Sequence, residues 1–65
     1  MKNKIEAARK VRAMTHQELA AAAGVSRQTI ISLESGKYNP SILLAHKIAL
    51  IFETSIEDMF IFEED

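Results

Sequence analysis

Only three residues break helix strongly in this chain of 65, Gly24, Gly36 and Pro40, so the segments between them are left to fold as short helices. Residues 2–13 place Ile5, Ala8 and Val11 three apart among lysines and arginines, which predicts an amphipathic first helix. Thr15-x-x-Glu18 has capping-box spacing, hydroxyl to backbone N–H and carboxylate back, and opens a second helix over about 16–23 with an Ala-rich body. Gly24 closes it. Ser26 is the expected cap of a third helix over 27–35, and Asn39-Pro40-Ser41 forms a turn and a cap for a fourth, the most apolar segment, over 42–52. Ser55-x-x-Asp58 starts a short fifth helix, with Glu57 and Asp58 at the positive end of its dipole. The alternation Phe60-Ile61-Phe62 suits a strand, paired either with residues 1–5 or with its copy in a partner. The expected architecture is an all-α five-helix bundle, one domain over 1–65, with a short terminal β-ribbon as an addition.

A chain this short supports a marginal core, and it has no cysteine to staple it or to bind a metal through thiolate. No basic-then-apolar leader opens it, and its longest apolar run, residues 48–52, is far below the roughly 18 residues of a membrane span. A cytoplasmic location is therefore expected. The net charge of -1 conceals an asymmetry: residues 1–40 carry seven cations and three anions, whereas 41–65 carry one cation and six anions. Screening within about 8 Å lets a basic half face a polyanion while an acidic half points away.

The apolar positions around Gly24 carry the functional signal. Ala20 is small where two helices would cross, Val25 plugs the turn, and Ile30 and Leu33 bury the back of the third helix. This is the pattern of a helix-turn-helix, with Arg27, Gln28, Thr29, Ile31 and Ser32 left on the front. Those side chains match a DNA major groove: Gln pairs with adenine, Arg with guanine, Ser or Thr with base or phosphate, and an apolar tip with a thymine methyl. The helix also presents free N–H groups, with Ser26 beside them, toward phosphates.

"LAAAAGVSRQTI", "LESGKYNPS" and "LAHKIALIFETSIEDMF" resemble the Cro/repressor-type helix-turn-helix (XRE) family, closest to its minimal members, over nearly the whole chain. The resemblance implies a lambda-repressor-like DNA-binding domain that works as a homodimer on a near-palindromic operator. It implies base reading by Arg27, Gln28 and Thr29, and sugar-phosphate contacts from Lys37, Tyr38 and Asn39. It leaves the phosphate role at the start of the second helix to His16, Gln17 or neither. It also implies that Arg9 and Glu34 form a structural ion pair between the first and third helices. Ile31 predicts either a thymine methyl beneath it or a surface partly diverted from DNA.

The remaining residues suggest simpler roles. Lys10 and Arg12 suit phosphate contact and solvation equally, and Lys2 and Lys4 suit solvation. His46 is expected as a partly buried packing residue, and Met14 and Met59 as core filler. His16 and His46 lie 30 residues apart with no local metal spacing. No catalytic constellation, metal site, cofactor or small-molecule ligand is expected, and the chain is not read as an enzyme. Leu43 and Leu50, two helical turns apart, suggest a dimer contact together with Phe52, Met59 and Phe60. The expected function is sequence-specific binding of double-stranded DNA as a transcriptional repressor. The alternative is a protein-interaction module of the same fold, an antitoxin-like or anti-repressor partner.

Overall fold

Four of the five helices start on a hydroxyl cap, and four end on a residue in the left-handed region; these stops and starts lay out the fold. A computed structural model describes residues 2–62. The acidic residues Glu63, Glu64 and Asp65, and with Met1 the first residue of the 1–5 segment, lie outside the described residues. In chain order the elements are β1 (Lys2–Asn3), α1 (Ile5–Val11), α2 (His16–Ala23), α3 (Arg27–Glu34), α4 (Ile42–Ile51), α5 (Ile56–Met59) and β2 (Phe60–Ile61). The five-helix expectation is borne out. The two strands pair antiparallel, Lys2 opposite Ile61 and Asn3 opposite Phe60. Of the two pairings open to the tail, the chain's own start is the one observed.

Thr15, Ser26, Ser41 and Ser55 each accept the backbone N–H three residues on, and Thr15 and Glu18 complete a reciprocal capping box. Glu18, accepting the Thr15 N–H, is held below the ordinary carboxylate range by that hydrogen bond. At the other ends, Gly24 and Gly36 take φ of 73° and 81°, and Ala13 and Glu53 take 51° and 55°. All four close the same two-bond motif. In α2 it is Val25 N to Ala20 O at 3.0 Å with Gly24 N to Ala21 O at 3.3 Å. In α4 it is Thr54 N to Ala49 O at 2.9 Å with Glu53 N to Leu50 O at 3.1 Å.

Two of these four stops therefore carry a side chain where glycine is unstrained. The left-handed conformation costs a residue with a Cβ about 1–2 kcal/mol, against about 0.5–1 kcal/mol of extra unfolded-state entropy for glycine. Glu53 contributes little else, since its carboxylate is exposed and 3.9 Å from Arg12. Glu53→Gly should raise stability by about 0.5–1 kcal/mol in a urea titration. An unchanged or lowered midpoint would refute the strain assignment.

The core gathers residues of all five helices and β2, with Phe52 at the end of α4: Ile5, Leu19, Ala20, Ala23, Ile30, Leu33, Leu44, Ala45, Ile48, Phe52, Met59 and Phe60. Three expectations are corrected here. The first helix begins at Ile5 rather than at residue 2, because Lys2 and Asn3 belong to the ribbon, and Val11 is 86% exposed. His46 is exposed, on the side of α4 opposite Leu44, Ala45, Ile48 and Ala49. Phe52, Met59 and Phe60, grouped above at a partner contact, are buried in the chain's own core. Leu43 and Leu50 remain exposed, at 63% and 61%.

Candidate nucleic-acid interface

Helix α3 owes its placement to its buried back. Ile30 and Leu33 are fully buried, while Ala20 and Ala23 on α2 are small enough for the two helices to cross closely, and half-buried Val25 packs against the core at the turn. Gly24 makes that turn with open space where a Cβ would stand, so its left-handed φ, and not crowding, is what calls for glycine. The opposite side of α3 holds Arg27 and Gln28, both exposed, with Thr29, Ile31 and Ser32 half-buried. The side chain of Ser26 accepts from Thr29 N at 3.1 Å and lies 2.9 Å from Thr29 Oγ1, so cap and first-turn hydroxyl form one unit at the helix start. Past the far end, Lys37, Tyr38 and Asn39 are exposed together. Gln17 is exposed beside the start of α2.

What fixes the angle of α3 is a buried polar hub at its last turn. Glu34 accepts from Arg9 Nε at 2.8 Å and from Arg9 Nη2 at 3.4 Å, with side chains only 6% and 11% exposed. Arg9 also donates to Met14 O at 2.8 Å, tying the α1–α2 connection to the same hub. His16 turns its Nε2 inward, 3.2 Å from Glu34 Oε1.

Asn3 is a second anchor, and the sequence reading passes over it. Its Nδ2 donates to Leu33 O at 2.7 Å and its Oδ1 accepts from Ile5 N at 3.1 Å. The signal was available: asparagine two residues ahead of a helix readily bonds the backbone there. Of the two cations with divided expectations, Lys10 pairs with Glu6 at 2.9 Å, and this contact is the main cause of the lowered Glu6 pKa. Arg12 donates to Ile51 O at 3.2 Å and lies 5.5 Å over the Phe52 ring. It therefore closes the end of α4.

Among the described residues, no group of three or more acidic, His or Cys side chains could hold a metal ion, and no helix is long and apolar enough to cross a membrane. Two open, almost wholly apolar grooves of about 280 and 170 Å³ lie away from the front of α3.

A short helix held by its back on a second, across a glycine turn, with polar and cationic side chains on its front, defines a helix-turn-helix protein. The helix-turn-helix family model matches residues 5–59, and the chain belongs to that family, in its XRE branch. The "Uncharacterized HTH-type transcriptional regulator MJ0272" of Methanocaldococcus jannaschii is 54% identical over 65 residues, covering 100% of this chain and 98% of that one. Another HTH-type transcriptional regulator, from Archaeoglobus fulgidus, is 60% identical over 52 residues, covering 80% of this chain and 73% of that one. Among solved structures, a SinR protein/SinI protein complex superposes with a TM-score of 0.74 at 31% identity. The match covers 82% of this chain and 52% of that one, so this chain accounts for about half of its length. The family is one of transcriptional regulators and not of enzymes.

Proposed function

We propose that the protein reads a near-palindromic DNA operator as a homodimer and represses transcription by occupying it. The observation that carries this reading is the front of α3: exposed Arg27 and Gln28 with Thr29, Ile31 and Ser32, on a helix whose back is buried and whose ends are fixed by the Ser26 cap and the Glu34 hub. In this reading Arg27, Gln28 and Thr29 meet base edges and Ile31 a thymine methyl, while Gln17, Ser26, Lys37, Tyr38 and Asn39 set the register on the sugar-phosphate backbone. The two α3 helices enter successive major grooves about 34 Å apart. The partner contact is assigned to exposed apolar side chains: Ile42, Leu43 and Leu50 on α4, with Phe62 beyond the ribbon. The domain is taken as a single unit over 1–65, working in the cytoplasm.

Gln28→Ala should relax base preference at one operator position at a cost of about 1–3 kcal/mol, and Lys37→Ala should weaken all sequences alike and flatten the salt dependence. Selection from a randomised duplex library, followed by affinities at two salt concentrations, separates the two. The division of roles is wrong if both variants give one profile. A second reading, a protein-interaction module of the same fold, is favoured by one observation: the solved neighbour is a complex of SinR protein with SinI protein. A DNA reader loses affinity steeply as salt rises. Absence of any DNA complex at low salt would leave the interaction module as the function.

A further inference from the structure

His16 occupies the first position of α2, with its Nε2 3.2 Å from Glu34 Oε1. An ionised carboxylate only accepts hydrogen bonds, so the ring nitrogen facing Glu34 carries the hydrogen. This fixes the neutral tautomer and leaves Nδ1 as a bare acceptor. Nδ1 has no partner among the described residues, no buried side-chain nitrogen or oxygen there is left unsatisfied, and the side chain is 31% exposed, so Nδ1 reaches solvent. It does so at the N-terminus of α2, the helix that crosses the DNA backbone in the reading proposed above.

We infer that His16 is a proton-operated contact to the DNA backbone. In the neutral ring the Nδ1 lone pair faces a phosphate oxygen and repels it; in the protonated ring the same atom donates a charged hydrogen bond, while Nε2 stays on Glu34. The inference rests on the DNA reading proposed above and adds its regulation. Charges facing the ring come from two helices besides its own. Glu34 on α3 lies 3.2 Å from Nε2, and Glu6 on α1 is within electrostatic reach of the ring. Arg9 and Lys10 on α1 are paired with Glu34 and Glu6, and Glu18 on α2 is engaged with Thr15. Because the complex then holds more protons than the free protein, affinity rises as pH falls through the histidine range.

The test uses the intact protein and a mixed-sequence duplex of about 30 bp, enough for two half-sites one turn apart. Affinity measured at about pH 8 and about pH 5.5 brackets the range in which histidine ordinarily changes charge. The expected result is binding about tenfold tighter at the lower pH, with a log-log salt slope steeper by about two for the two protomers. His16→Gln should lose both responses. His46→Gln, which removes the other histidine, should keep them. In the free protein, nitrogen-15 shifts should show neutral His16 with its hydrogen on Nε2. The inference is overturned by binding that persists without a pH response, by a response that survives His16→Gln, or by a hydrogen on Nδ1 in the neutral ring. Failure to bind DNA at every pH would sink the DNA reading itself, and this inference with it.

Discussion

Phe60→Ala is expected to leave much of the population unfolded at room temperature. The ring is 1% exposed and belongs to the central core, and removing a buried phenylalanine costs about 3–5 kcal/mol. A chain of this length has a total stability of only about 3–10 kcal/mol. Phe60 is also the residue that brings β2 opposite Asn3, so the cavity opens where the ribbon meets the helices. Loss of helical signal in a urea titration, with its midpoint shifted toward zero, checks this. A loss below about 1 kcal/mol would return Phe60 to the partner surface suggested by its neighbours in sequence.

Glu34→Ala is expected to cost about 3–5 kcal/mol, because it strands the Arg9 guanidinium at 11% exposure with only the Met14 carbonyl to bond. Most of that cost comes from leaving a buried charge unpaired. Replacing both partners by apolar residues, Arg9→Met with Glu34→Leu, should therefore recover most of the stability. Thermal melts of the single and double variants form the decisive comparison, and a double variant as unstable as Glu34→Ala would contradict this account. The double variant also separates stability from function, since it removes the hub that sets the direction of α3 while preserving the core.

Much of the fold was legible because its signals are local. Thr15, Ser26, Ser41 and Ser55 mark helix starts by chemistry that acts over three residues, and Gly24 marks a stop by its backbone freedom. The failures come where facing is decided by the partner element. Positions three apart advance 300° around a helix, so Ile5, Ala8 and Val11 drift by 60° at each step. Two such steps carry Val11 off the buried face, and Arg12 turns beside it to close α4. His46 misled for a related reason, since α4 is apolar on nearly every side and composition cannot say which stripe the other helices cover. The same ambiguity placed Phe52, Met59 and Phe60 with Leu43 and Leu50, although the first three face inward. At the candidate interface the exposure of Arg27 and Gln28 could be read from residue type, because charged and amide side chains stay in water. The inward turn of His16 and the Asn3 anchor could not, because both depend on atoms 18 and 30 residues away along the chain.

The two-residue ribbon has a consequence for the order of folding. Pairing residue 2 with residue 61 closes a loop of nearly the whole chain, which costs about 4 kcal/mol of chain entropy beyond a constant. Two pairs of residues cannot offset that in an open chain. The helices must first bring the ends together, so the ribbon is a latch set after the core has formed, and its amides should exchange with solvent before those of α2 and α3. Through Asn3 the latch also holds the last turn of α3, which ties the direction of that helix to the final event of folding.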